Sequence, residues 1–261
     1  MAVDKPAGAG TAHAPAQPGK WRLGGALWLL GMPGVVAVVW ALLPTLKVNE
    51  ALLPLPLEAV LLLSGLQTAV LLALAVALGV WLAPRVGLRA PAVFSWVAGQ
   101  PAGPALRAQL VPGLWGGVAG AAWLWLLSRL APAALQPSDP ANAMPLAVKL
   151  LYGGITEELL MRWGVMTLLL WLGWRLLRRG HGQPRNGLVA TAVLFSAVLF
   201  AVGHLPAAQA MAGVLTMPVV AFVLVGNTVF GLVAGGLFAR HGLEAAIIAH
   251  VLAHLLASPL L

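Results

Sequence analysis

The sequence predicts an all-α fold, a polytopic membrane helix bundle with about seven to eight transmembrane helices. Of the 261 residues, 61% are hydrophobic and only 8% are charged, whereas soluble domains carry about 25% charged residues. Long apolar runs also recur along the chain, and each approaches or exceeds the roughly 20 residues with which a helix spans a hydrocarbon core. Composition and run length together exclude an ordinary soluble domain.

Seven apolar segments carry this prediction, and an eighth is added if the fourth is broken. They are Trp21–Leu43, Leu57–Leu82, Leu110–Leu130, Leu146–Leu177, Leu188–His204, Pro218–Phe238 and Leu243–Leu260. The fourth is longer than a bilayer requires, so we expect a tilt, an interfacial first turn or a kink near Gly153 and Gly154. We interpret residues 21–261 as one transmembrane domain that follows a flexible cytoplasmic tail of residues 1–20.

The positive charges indicate orientation in a membrane. The net charge is +8, but the Lys and Arg residues collect at segment ends, which predicts a cytoplasmic N-terminus and not nucleic-acid binding. The loops holding Glu50 and Asp139 then lie outside. We expect an integral, multi-pass protein of a bacterial inner (plasma) membrane; its oligomeric state is left open. The absence of cysteine excludes a disulfide framework and a thiol nucleophile.

The first two segments look like scaffold, and the third is expected to pack closely on another helix. The first two carry no Asp, Lys or Arg in their central parts, and the Pro- and Gly-rich connection over residues 84–104 predicts a cytoplasmic loop with a short interfacial piece near Phe94–Val97. The third segment carries glycines at spacings that allow close helix packing. These are Gly113, Gly116, Gly117 and Gly120.

Polar residues inside apolar segments cluster in the second half of the chain, beginning with Glu157 and Glu158. Ionisable side chains at bilayer depth are costly unless they are paired or face a wet cavity, so their default interpretation is functional. Arg162 lies four residues after Glu158, on the same helical face. We therefore predict that Glu158 and Arg162 form a structural ion pair and that Glu157 faces a cavity.

Three histidines accompany the carboxylates. His204 ends the fifth segment one helical turn after Phe200, which is expected to pack beside it. His250 and His254 share one face of the last segment. Glu157 and His204 could activate a water, with imidazole donors stabilising an oxyanion. The same residue types also suit a zinc site formed by Glu157, His204 and His250, and residue types alone do not choose between the two.

The ordered motifs resemble the CPBP family of intramembrane proteases, which includes CAAX prenyl endopeptidases of the Ras-converting type and Abi proteins. The resemblance covers about residues 146–256 and rests on three motifs: Glu157-Glu158-x-x-x-Arg162, Phe200-x-x-x-His204, and His250 after an apolar run. It implies that Glu157 and His204 activate the catalytic water, that Glu158 and Arg162 support the site, and that His250 helps to bind the oxyanion. The family usually has Asn or Asp where this chain has His254.

The resemblance predicts an intramembrane endopeptidase that hydrolyses a peptide bond near the terminus of a membrane-anchored or lipidated protein or peptide. A glutamate-type mechanism without a metal cofactor is preferred over a metalloprotease. The alternatives are a non-proteolytic immunity or scaffold protein of the same fold and, with less support, a proton-coupled transporter. A transporter would ordinarily show matching inverted repeats, whereas the polar residues here occupy one half of the chain.

Three further expectations concern polar residues outside these motifs and the depth of the site. Glu244 is expected to lie in a solvated interfacial cluster with Arg240 and His241. Asn227 is expected to hydrogen bond to a neighbouring helix. The assumed topology puts Glu157 in the outer half of the bilayer and His250 nearer the cytoplasmic edge, unless helices tilt or break.

Overall fold

The computed structural model describes residues 19–136 and 144–258. This part of the chain is a bundle of helices without a strand, which confirms the predicted fold class. The predicted tail, apart from its last two residues, and the loop residue Asp139 lie outside the described residues.

Each of the seven predicted apolar segments is helical in the described part. The helices are α1 (Lys20–Val48), α2 (Leu57–Leu82), α3 (Pro91–Val97), α4 (Ala102–Leu130), α5 (residues 146–177), α6 (Asn186–Gly203), α7 (Leu205–Ala212), α8 (Met217–Arg240) and α9 (Leu243–Ala257). Short 3₁₀ turns occur at Glu50–Leu52, Ala83–Val86 and Ala133–Leu135. Helix α3 is a short helix at the place where the sequence predicted an interfacial piece, within the connection of residues 84–104; its position relative to the membrane stays a prediction.

Among the residues that the structure describes, five helical stretches are long and apolar enough to cross a membrane: Lys20–Val48, Leu57–Val86, Ala102–Leu130, Asn186–Ala212 and Met217–Arg240. Helix α9 is apolar but has only 15 residues, fewer than the roughly 20 of a full span. It packs along α4 and against the first half of α5.

Helix α5 is continuous but unevenly wound. It is α-helical over Leu146–Val148 and Thr167–Leu177, and π-helical over Lys149–Thr156 and Leu159–Met166. The wider π turns, with i to i+5 bonds, advance less per residue than α turns. This winding, and not a break at the glycines, therefore absorbs part of the predicted excess length. Glu157 and Glu158 lie at the junction of the two π stretches, and such turns are frequent at functional sites.

Glycines allow α1 and α2 to approach the back of α5. A Cβ on Gly34 would lie 2.2 Å from Thr156 Oγ1, and one on Gly79 would lie 2.2 Å from Trp163 Nε1. Thr156 Oγ1 donates a hydrogen bond to Gly31 O at 2.7 Å, across the α1–α5 contact. Helices α1 and α2 thus hold the acidic helix from behind, as expected of scaffold.

The glycine face of α4 packs on α9, as its spacing predicted. A Cβ on Gly117 would lie 2.6 Å from Leu252 Cβ, and one on Gly120 would lie 2.8 Å from Ala253 Cβ. Gly113 and Gly116 approach the same helix, at Ile248 and Ala249 respectively. These contacts fix the helix that carries two of the three candidate histidines.

Candidate active site

A buried ionic network joins α5 to α9. Glu158 is fully buried, and its Oε1 lies 2.7 Å from His250 Nδ1. Its Oε2 lies 3.2 Å from Arg162 Nε, so the structure contains the ion pair predicted from the spacing. The Arg162 N–H does not point at that oxygen, because neither atom completes a hydrogen bond among the described residues. The pair is therefore held by charge at close range.

Arg162 reaches two further helices. Its Nη2 donates to Gly231 O on α8 at 3.4 Å, and its guanidinium carbon lies 4.6 Å from the centre of the Phe200 ring on α6. The side chain is only 1% exposed. A buried cation needs an anion and further polar or π partners, and here three helices supply them.

The Glu158 contact determines which nitrogen of His250 is protonated. A carboxylate that pairs with Arg162 can only accept, so Nδ1 of His250 donates to it. In the neutral His250 ring, Nε2 is therefore unprotonated. An Nε2–H is present only in the imidazolium form, in which the Glu158 carboxylate balances the positive charge. Phe230 and Phe200 enclose this ring, with centroids 4.5 and 6.2 Å away.

His204 lies at the turn between α6 and α7. Its Nδ1 lies 2.8 Å from Phe200 O, and its ring meets the Phe200 ring edge-on at 4.6 Å, which confirms the predicted packing. A backbone carbonyl can only accept a hydrogen bond, so Nδ1 carries the proton of the neutral ring. The lone pair of Nε2 is then free to accept another.

His254 stacks on His250, with ring centroids 5.1 Å apart and planes inclined by 27°. Gly153 of α5 faces both rings. A Cβ on Gly153 would lie 3.4 Å from His254 Nε2 and 3.7 Å from His250 Nε2. The Nε2 atoms of both rings therefore lie close to the backbone of α5 at Gly153, where a side chain would contact them. The adjacent Gly154 allows the helices to touch, since its Cβ would lie 2.5 Å from Val251.

Glu157 differs from Glu158 in its exposure and in its hydrogen bonding. It is half-buried, and its carboxylate makes no hydrogen bond or ion pair with any residue that the structure describes. Six predicted site residues thus form one chain of contacts: Glu158, Arg162, Phe200, His204, His250 and His254. Glu157 lies at the edge of this group, on the same helix as Glu158, with its acceptor oxygens uncommitted.

The described side chains are not grouped as a metal centre. Within residues 19–136 and 144–258, no three His, Asp or Glu side chains lie together so that they could hold a metal ion. The Nδ1 contacts of His204 and His250 occupy only one ring nitrogen each and leave Nε2 able to bind a metal, so the zinc alternative of Glu157, His204 and His250 stays a prediction.

The expected difference in depth between Glu157 and His250 is wrong, since His250 touches Glu158, the neighbour of Glu157. Helix α9 is short and begins inside the bundle at Leu243, so seven residues bring His250 level with the acidic motif. The Lys and Arg residues at the segment ends predicted the topology, but they do not show that the last helix begins inside the bundle.

The expectation for Glu244 is also wrong. Its side chain is 7% exposed, and its Oε1 accepts hydrogen bonds from the backbone N–H groups of Ala92 and Val93, at 2.8 and 2.9 Å, at the start of α3. Gln109 Oε1 likewise accepts from Ala245 N at 3.0 Å. These two side-chain contacts, which the sequence did not predict, fix the beginning of α9. The position of Glu244 four residues after Arg240 had indicated an interfacial cluster instead.

Asn227 bonds within its own helix. Its Nδ2 donates to Val223 O at 2.9 Å, one turn earlier, and not to a neighbouring helix as expected. The hydrogen bond between α4 and α8 at this level comes from Trp123 Nε1, which donates to Gly226 O at 2.9 Å. An indole donor on one helix can supply the bond that an amide on the other was expected to make.

Comparison with known proteins identifies the segment that carries these residues. Residues 139–256, a little under half of the chain, match the family described as type II CAAX prenyl endopeptidase Rce1-like. No curated protein and no solved structure shows significant similarity to the chain. The match confirms the resemblance predicted from the three motifs, all of which lie within it.

Proposed function

Residues 139–256 match the Rce1-like family of type II CAAX prenyl endopeptidases. We propose that the protein is an intramembrane endopeptidase. It hydrolyses a peptide bond near the terminus of a membrane-anchored or lipidated protein. The observation that carries the proposal is the family match itself, because every polar group of the candidate site lies within the matched segment. A prenylated, membrane-associated protein is the substrate class that the family implies.

Glu157 and His204 activate the water in this proposal. Glu157 has free acceptor oxygens beside an apolar bundle, where a carboxylate can act as general base. His204 keeps Nε2 as an acceptor, because its Nδ1–H is held by Phe200 O at 2.8 Å. A water between the two groups would lose one proton to the carboxylate while the imidazole orients it or relays the proton.

Glu158, Arg162 and Phe200 are positioning residues. The carboxylate of Glu158 holds His250 at 2.7 Å and balances the charge of Arg162 at 3.2 Å. Phe200 packs against the guanidinium on one side and the His204 ring on the other. None of the three has to touch the substrate to perform this task.

His250 and His254 bind the oxyanion. Both Nε2 atoms lie near Gly153, within 4 Å of the position that a Cβ on this residue would take, and we place the substrate carbonyl beside them. We assign His254 the neutral Nε2–H tautomer, in which it donates through Nε2; no hydrogen bond to a described residue holds the proton on its other nitrogen. His250 donates only as the imidazolium paired with Glu158. Donors aimed at a developing oxyanion in a water-poor site supply a large share of catalysis.

The reaction then balances without a cofactor. The oxygen of the activated water forms a bond to the carbonyl carbon, and the carbonyl π electrons move to the oxygen that the imidazoles bind. When the tetrahedral intermediate collapses, the C–N bond breaks and the proton held by Glu157 passes to the leaving nitrogen. The products are a carboxylic acid and an amine, and the acid then loses its proton to the solvent or to the amine. We propose this glutamate-type route for the reaction. We also propose that the protein crosses the membrane several times and has a cytoplasmic N-terminus.

The test uses purified full-length protein in detergent and a prenylated, membrane-anchored peptide substrate. Glu157→Gln and His204→Ala should each abolish cleavage while thermal unfolding stays close to that of the wild type. Glu58→Gln and His241→Ala are matched controls, because both side chains are exposed and lie outside the site; each should retain activity. Full activity of Glu157→Gln would contradict the proposal and favour a non-proteolytic protein of the same fold.

A further inference from the structure

A narrow apolar groove runs between α1 and α2, lined by none of the candidate site residues. Its volume is about 200 Å³. Its walls extend from Lys20 to Trp28 on α1 and from Trp81 back to Ala73 on α2. The Trp28 end is held in place by a hydrogen bond from Nε1 to Ala69 O at 3.1 Å. The groove is therefore a formed feature between two packed helices.

The dimensions of this groove fit one hydrocarbon chain. Eight residues separate Lys20 from Trp28, which is about 12 Å of helix, close to half of a hydrocarbon core of about 30 Å. Small residues line the middle, and a Cβ on Gly25 would meet nothing within 4 Å. Pockets for compact ligands usually measure about 300–1,000 Å³, so a slender chain suits this smaller volume better than a ring system or a helix.

Positive charge lies at one end of the groove only. Lys20 Nζ lies 3.7 Å from the centre of the Trp81 ring, and the Arg85 guanidinium donates to Trp81 O. Residues 19–49 contain no Asp or Glu, and the acidic residue of α2, Glu58, lies at the opposite end of its helix. The end near Trp81 is thus cationic, and within residues 19–136 and 144–258 no carboxylate pairs with Lys20 or Arg85.

We propose that this groove binds an anionic phospholipid of the leaflet at the amino-terminal end of α1. One acyl chain lies between α1 and α2, and the phosphate pairs with Lys20 and with the free N–H groups of Arg85. Basic residues at a membrane edge attract anionic headgroups, and tryptophans such as Trp21 and Trp81 favour the headgroup level. This site is independent of the proposed proteolytic activity.

Native mass spectrometry of the purified, delipidated protein tests the proposal. The protein is mixed with equal amounts of dioleoyl phosphatidylglycerol and dioleoyl phosphatidylcholine, and retained lipids are counted. The wild type should retain the anionic lipid preferentially. Lys20→Ala should lower that retention about fivefold, the effect of one basic residue at a membrane surface. Gly25→Leu, which fills the groove, should lower retention of both lipids.

Arg129→Ala is the matched control, because Arg129 also lies over a tryptophan at a helix end, 5.4 Å from the Trp125 ring, but outside the groove. It should leave retention unchanged. Lys20 is exposed at the first residue of α1, so its replacement tests binding in a folded protein, which circular dichroism verifies. Equal retention of the two lipids by the wild type, or equal losses from Lys20→Ala and Arg129→Ala, would overturn the proposal.

Discussion

Replacement of Glu158 by glutamine should destabilise the protein far more than the same replacement at Glu157. The introduced side chain keeps an amide oxygen that can accept from His250 Nδ1, so the change removes the charge and little else. Arg162, 1% exposed, then becomes a buried cation without an anion. Removing one partner of a buried pair costs about 3–5 kcal/mol, and we expect the lower end because the Phe200 ring still faces the guanidinium.

Thermal unfolding followed by the intrinsic fluorescence of the 11 tryptophans measures the difference. A loss of about 3 kcal/mol corresponds to a fall in Tm of roughly 6–12 °C for a chain of this size, whereas Glu157→Gln should change stability by less than about 1 kcal/mol, as most exposed or half-exposed substitutions do. Adding Arg162→Met to Glu158→Gln removes the unpaired cation and should restore part of the lost stability. Equal small losses from the two single glutamine variants would refute the buried ion pair as a structural element.

Three further predictions concern packing, the oxyanion donors and metal. Gly79→Ala should destabilise the protein by about 1–3 kcal/mol through overpacking against Trp163, measured by thermal unfolding, while Gly236→Ala, with nothing near its Cβ, should not. His254→Asn should keep activity within about tenfold of the wild type because the amide still donates, whereas His254→Leu should lose about 10²–10³ in kcat; equal kcat values would remove His254 from the reaction. Elemental analysis and chelator treatment should show neither stoichiometric zinc nor inhibition, and the opposite result would favour the metalloprotease.

The sequence predicted the helices and the local pairings well, because both depend on residues close together in the chain. Long apolar runs specify membrane helices through composition alone, and the interval of four residues was enough to pair Glu158 with Arg162. The packing of Phe200 beside His204 follows from the same short-range rule. The family resemblance then grouped motifs that lie far apart in the sequence.

The remaining features depend on tertiary contacts that a linear pattern does not contain. The π winding of α5 has no counterpart in the apolar pattern, and its close packing on α1 and α9 depends on Gly34 and Gly154, which lie far from their contacts in the sequence. The role of Glu244 depends on two backbone N–H groups about 150 residues earlier in the chain. The roles assigned to Glu157, His204, His250 and His254 remain predictions that the kinetic variants test.

The capped beginning of α9 has a consequence for the placement of the two histidines on this helix. Glu244 and Gln109 fix the first turn of α9 against α3 and α4, and His250 and His254 follow Leu243 by seven and eleven residues, or about 10 and 16 Å of helix. One inserted residue between Leu243 and His250 would turn both rings by about 100° away from Gly153. The number of residues in this short stretch therefore sets the register of both imidazoles against α5, so an insertion there would separate them from Gly153 although every site residue is still present in the sequence.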